Sequence, residues 1–224
     1  MSSLAELKPE LLRLSAATDA GFAAKDDSPV VARIIALAAQ VEALNPTPRP
    51  VDQPRLLDGR WKLLYSSFGL ERQTTLRRIS FATLPREARI AVDGVYQMVD
   101  AATGRYDNHV EFRAENGTAG VHVTRGIFKP QDGSDKRLEI SFVGNGAYPL
   151  AAESGPGDLR AALGLGADEP LEAPVKFDGW SDVTYLDDDT RLMRGNAGNL
   201  YVLEKIAAVA GPDPRTRQRG ISDA

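Results

Sequence analysis

A chain of 224 residues, 42% hydrophobic and 26% charged, has room for one well-packed domain with an accessory element and is short for two large ones. Its net charge of −4 supplies no positive field for a phosphate backbone, which argues against nucleic acid as a partner. Cysteine is absent, so disulfides and thiolate metal sites are excluded and stability has to come from packing, as suits a reducing compartment.

The opening MSSLAELKPELL carries acids at Glu6 and Glu10 and no long apolar run, unlike a secretory signal or an acid-poor transit peptide. A cytoplasmic protein that stays where it is made is expected. No stretch reaches the roughly 20 apolar residues that span a bilayer, so no transmembrane segment is expected and any membrane contact would be peripheral. Ser3 and Glu6 have capping-box spacing, and Leu7, Leu11 and Leu14 recur at helical intervals. After a break at Asp26, Asp27 and Ser28, a second helix presents Val31, Ile34, Ile35, Ala38 and Val41 on one stripe. Residues 1–50 therefore read as a helical region, ending in a proline-rich connector over 45–54.

From residue 58 to about 205, short alternating segments are separated by Gly, Asn and Asp turns, the pattern of an antiparallel meander. Asn116-Gly117 and Asp132-Gly133 read as two-residue hairpin turns. The first would pair Phe112 with Val121 and Val110 with Val123; the second, Val123 with Phe142 and Ile127 with Leu138, all on one apolar face. Arg125 falls on that face opposite Ile140, where a guanidinium needs an acid, carbonyls, water or an anionic ligand head. A bulge at Gly126 that turns Arg125 outward is the equal alternative. His109, Glu111, Arg113, His122 and Thr124 fall on the polar outer face, which favours a surface pair of Glu111 with His122 over a metal site. Residues 151–174 interrupt the strands as a lid or a long loop. Asp187-Asp188-Asp189 lacks the rest of a calcium loop and reads as a tight turn. The tail over 211–224 lacks apolar periodicity and is expected to be disordered.

Gly59-Arg60-Trp61 opens the first strand with the Gly-x-Trp of lipocalin-type barrels, in which the tryptophan plugs the closed end; Trp61 as a plain core aromatic is the alternative. A basic residue of the last strands usually covers that indole, and Arg191 and Arg194 are the candidates. Larger motifs agree. LKPELL, ALNPTPRP, LLDGRWKLLYSS, VYQMVD with YDNHVEF, and above all WSDVTYLDDDTRLMRGNAGNLYVLEK resemble those of the plastid lipid-associated protein family, also called fibrillins, of chloroplasts and cyanobacteria. The likeness runs over about 4–206, leaving AAKDDSPV, the insertion and the tail without counterparts. It implies a lipocalin-like barrel binding lipids, carotenoids, quinones or other isoprenoids, at lipid bodies or photosynthetic membranes. Without a transit peptide, a cyanobacterial, cytoplasmic version is expected.

The fold class expected is mainly β: a lipocalin-like antiparallel up-and-down barrel of roughly eight strands within 51–210, with a two-helix region covering an edge or an opening. Ligand lining is assigned to Trp61, Leu63, Tyr65, Val110, Phe112, Val123, Arg125, Ile127, Ile140, Phe142, Tyr185, Arg191 and Arg194, although small barrels also fill themselves with such side chains. No Ser-His-Asp order, phosphate loop or dinucleotide fingerprint is present, so no catalytic residue, metal or cofactor is assigned. The expected partner is a hydrophobic small molecule, held without catalysis. The alternatives are an interaction module acting through the helices and the insertion, with a filled barrel, and an enzyme on an apolar substrate, which would need a polar cluster with perturbed pKa values that the sequence does not display.

Overall fold

The computed structural model describes residues 3–24, 28–69, 71–84, 87–151 and 153–207. The acids at 26 and 27 and the whole of the tail lie outside the described residues. Helix α1 (Leu4–Ala17) starts with the carboxylate of Glu6 accepting the N–H of Ser3 at 2.9 Å, the reciprocal half of the capping box. Helix α2 (Pro29–Ala43) starts with Ser28 Oγ accepting the N–H of Val31, and its proline sits at the first turn, where the missing N–H costs nothing. A single 3-10 turn (Pro50–Asp52) and a short helix α3 (Pro54–Leu57) complete the connector.

The strands β1 (Gly59–Ser66), β2 (Gln73–Thr75), β3 (Arg89–Asp100), β4 (Arg105–Ala114), β5 (Ala119–Pro130), β6 (Arg137–Pro149), β7 (Glu172–Leu186), β8 (Thr190–Gly195) and β9 (Leu200–Ile206) form one antiparallel sheet. Consecutive strands pair from β2 to β9, and β1 pairs with both β9 and β3, so the ladder returns on itself through eight strands with β2 as an appendage. Such a closed ladder has an inner and an outer face. One buried cluster draws Trp61 and Leu63, Val99, Tyr106, Leu138 and Ile140, Val183, Met193 and Leu203, with Phe128 packed against it, from all eight ring strands. Only the inner face can bring all eight together.

A second cluster joins Leu7, Leu11, Ile34, Leu37, Ala38 and Val41 of α1 and α2 to Leu64, Tyr65, Tyr185, Leu192 and Val202. The helices therefore lie against the outer wall of β1 and β7 to β9. β1 pairs with β3 only over Gly59–Lys62, and the segment after α1 meets the edge left beyond it, Ala20 N–H donating to the carbonyl of Leu64 at 3.1 Å; the strands beneath the helices are apolar on their outer side as well. Two ion clusters hold the helices in place. Glu42 of α2 takes both guanidinium arms of Arg194 at 2.9 and 3.0 Å and the hydroxyl of Thr184 at 2.7 Å. Lys8 of α1 donates to Asp187 at 2.7 Å and Asp189 at 2.5 Å, while Asp187 also accepts the N–H groups of Asp189 and Thr190. The acidic run is thus a β7–β8 turn that seats a helix.

The ends of the ring are closed by different segments. Next to Trp61, the residues Ala20, Val51 and Leu57 join the inner cluster, with Phe22 and Leu56 packed on it. At the other end, helix α4 (Leu76–Ile79) and helix α5 (Pro156–Ala162) bring Leu76, Leu84, Leu159 and Leu163 against Ile90, Phe112 and Ala147. The 151–174 insertion is a packed closure through α5.

Two outcomes test this packing. Leu159→Ala should cost about 2 to 5 kcal/mol in denaturant unfolding, since Leu159 is fully buried; a loss below about 1 kcal/mol would show that α5 only drapes over the end. Lys8→Met should cost about 1 kcal/mol at neutral pH. Burial alone would raise the Asp187 carboxyl, but hydrogen bonds from Lys8, Tyr185 and the turn N–H groups outweigh it and hold it below the usual carboxylate range. A depressed folded-state pKa adds stability that is present above the unfolded value and is lost as pH falls through the folded one. The gap between wild type and Lys8→Met should therefore close in acid, below about pH 3.9; a gap unchanged there rules the pair out as the anchor.

Candidate functional site

The register of the ring decides which side chains meet inside. Direct pairings run Lys205, Trp61, Gln97, Asn108, Thr124 and Asn145 across β9, β1, β3, β4, β5 and β6, forming one row on the inner wall. One step toward α4 and α5 lies Val95, Val110, His122 and Ala147. Trp61 is fully buried and donates its indole N–H to the carbonyl of Leu57 at 2.8 Å. The guanidinium of Arg191 sits 4.5 Å from its ring centroid, and Lys205 Nζ lies 4.8 Å away. Of the two arginines considered, Arg191 covers the indole; Arg194 faces outward to Glu42.

Several inward assignments are overturned by register. The β4–β5 hairpin has a three-residue loop, Glu115-Asn116-Gly117, with Ala114 N–H bonded to Thr118 O and Gly117 left-handed at φ 88°. That single extra residue sets Val110 opposite His122 and Phe112 opposite Gly120, and so turns over the whole of β5. The β5–β6 connection spans 131–136, with Gln131 N–H bonded to Arg137 O. In consequence Val123, Arg125 and Ile127 face outward, Ile127 being 51% exposed. Arg125 lies flat over Gly144, where a Cβ would come 2.6 Å from its Nη2, and reaches Glu172 at 3.4 Å. The ladder shifts register between Arg125 and Gly126, but Arg125 is already outward by the β4–β5 pairing.

Tyr65 and Tyr185 also leave the expected inner face. A bulge between Leu63 and Tyr65, and another between Val183 and Tyr185, each insert one residue and turn the tyrosine out beneath α1 and α2. The inner face keeps Trp61, Leu63, Val110, Phe112, Ile140, Phe142 and Arg191. The surface pair of Glu111 with His122 does not form either. Glu111 accepts from Arg60 at 2.6 Å on the outer face, whereas His122 points inward, fully buried, with neither ring nitrogen hydrogen-bonded. Burial, aided by His109, pushes the His122 pKa down to about 3, so its imidazole is neutral at physiological pH.

Sequence reasoning missed Gln97, Asn108, Thr124, Asn145 and His122 as inner-wall residues. Gln97 carried a usable signal, since it shares the phase of Val95 and Val99 in an apolar alternation. Arg191 donates from Nη2 to Gln97 Oε1 at 2.5 Å; burial pulls its pKa down to about 10 against the opposing influence of Tyr106. Gln97, Asn108 and Val110 are only half-buried although their strands are paired on both sides. Near α4, Phe81 packs on Phe177 at 5.0 Å and Phe177 on Phe142 at 4.6 Å, a run of rings from the surface to the inner wall. Asn145 ties the same segment down through Ser80 O and Thr83 Oγ1, both at 2.9 Å.

Among the described residues no group of His, Asp and Glu could hold a metal ion, and no helix is long and apolar enough to cross a membrane. A cleft of about 800 Å³ outside the ring, beside Glu42, Asn45 and Arg137, is open to solvent.

Comparison with known proteins gives this geometry a family. The chain is 28% identical over 231 residues to probable plastid-lipid-associated protein 3, chloroplastic, of Arabidopsis thaliana, covering 89% of this chain and 58% of that protein. It is 27% identical to plastoglobulin-1, chloroplastic, of Pisum sativum (91% and 62% covered), and 26% identical to the chromoplast-specific carotenoid-associated protein of Cucumis sativus (91% and 69%). The chain thus spans about three fifths of the first two relatives. These are plant plastid proteins by name, which corrects the expectation of a cyanobacterial, cytoplasmic protein without a transit peptide. No solved structure matches the chain. The PAP_fibrillin family model matches residues 5–204, nearly the whole length, and the chain belongs to that family of plastid lipid-associated proteins.

Proposed function

We propose that the eight ring strands form a lipocalin-like up-and-down barrel that holds a hydrophobic small molecule, a lipid, carotenoid, quinone or other isoprenoid, without transforming it. The observation that carries this reading is the half-buried state of Gln97, Asn108 and Val110, which face inward from strands paired on both sides and so border unfilled space. Trp61 and the α3 segment seal one end, and α4 and α5 close the other with side-chain contacts that a lid can break and remake. The lipid- and carotenoid-associated names of the relatives support the same class of guest, taken up at plastid lipid surfaces. Tyr106, raised to about 12 by burial, and His122, lowered to about 3, are both fixed in their neutral forms at physiological pH, which supports holding over proton-transfer chemistry.

Filling the space tests the reading. Wild-type protein titrated with a carotenoid or a long-chain quinone, followed by quenching of its tryptophan fluorescence, should saturate near one molecule per chain. Val110→Trp should weaken that binding about tenfold or more while thermal unfolding moves by only a few degrees. If wild type takes up neither guest and Val110→Trp costs the 1 to 3 kcal/mol typical of an overpacked core, the interior is full and the reading is wrong.

A further inference from the structure

We infer that the guest carries a carboxylate, seated against Arg191 on the inner wall, with its apolar tail directed toward Phe112 and Phe142. This deepens the proposed function and rests on it. Arg191 is wholly buried, yet two of its nitrogens, Nε and Nη1, have no hydrogen-bond partner. Its third nitrogen donates to Gln97, a neutral amide. The titratable groups acting on it are Tyr106, a neutral phenol at pH 7, and Lys205, a second cation. No acid among the described residues stands among them.

The indole of Trp61 compensates part of that charge through a desolvated cation-π contact. Burying an unpaired guanidinium costs several kcal/mol, so the balance favours an incoming anion. Donors in a planar fork match the two oxygens of a carboxylate. Among the described residues, acids that pair with arginines are taken up elsewhere, among them Glu42 by Arg194, Glu111 by Arg60 and Asp182 by Arg137. The inner wall beside Arg191 is amphipathic in the right order. Gln97 and Asn108 adjoin it, then Val110, then Phe112, and from Asn108 to Phe112 the strand rises about 13 Å, at about 3.3 Å per residue. A fatty-acid-type molecule has that sequence of polar head and apolar tail.

The experiment compares oleate with oleyl alcohol, which differ at the head alone, by calorimetry on the purified chain. Wild type should bind oleate about tenfold or more tightly than the alcohol, the advantage of a charged over a neutral hydrogen-bonded head. Gln97→Glu places a carboxylate of the protein's own against Arg191 with little change in shape. It should abolish the preference by weakening oleate alone, and it should leave the fold at least as stable as wild type. Arg191→Gln should do the same to oleate, and because it also disturbs the packing on Trp61, the Gln97→Glu result stands independently of whether that variant folds. Equal affinity of wild type for acid and alcohol, or undiminished oleate binding by folded Gln97→Glu, overturns the carboxylate assignment while leaving the holding function intact. Failure of wild type to bind oleate, oleyl alcohol, the carotenoid and the quinone alike overturns both.

Discussion

Closure of the ladder is the constraint from which the rest of this structure follows. When β1 pairs with β3 as well as β9, every strand of the ring has a neighbour on each side, and the sheet acquires an inside and an outside in place of two equivalent faces. Every residue must then suit one of them. The side-chain period of two makes that choice binary, so a single inserted residue transfers a whole stretch of strand from one side to the other. The bulges after Leu63 and Val183 use this to put Tyr65 and Tyr185 under the helices while Trp61 and Met193 remain within.

Closure also explains why the chain is double-layered on one side only. Strands β1, β8 and β9 and the end of β7 are apolar on both faces, and their outer surfaces are covered by α1 and α2. The helices are not held by apolar contact alone. Glu42 and Lys8 each reach across to a strand or turn that the helix covers, and charged pairs of this kind fix orientation more than they add stability. The connector adds to this through Asn45, which accepts the N–H of Leu186, and Thr47, which donates to its carbonyl, so that the proline-rich segment is bonded to β7 through side chains.

The interior is mixed, an apolar cluster beside a polar row. Along the row of Gln97, Asn108, Thr124 and Asn145, the neighbouring His122 and Arg191 carry the largest burial cost, since both are fully buried with nitrogens that lack partners. Asn145 is spent on the α4 segment, which makes the closure of one end part of the same network.

Much of this was legible in the linear chain. The helices at 4–17 and 29–43, the proline connector, the antiparallel meander, Trp61 on the first strand and the acidic turn before Thr190 all follow from local pattern, because caps, prolines and strand alternation act over a few residues. The family resemblance was legible for the same reason, since its motifs are contiguous. What the sequence could not decide was parity. Whether Asn116-Gly117 closes a two-residue or a three-residue loop is settled by how β4 and β5 pack against the rest of the ring, and that one residue determines whether Arg125 faces inward or outward and whether His122 meets water or the interior. Local chemistry specified the elements; the closed ladder, a property of all the strands at once, decided which side chains face each other inside it.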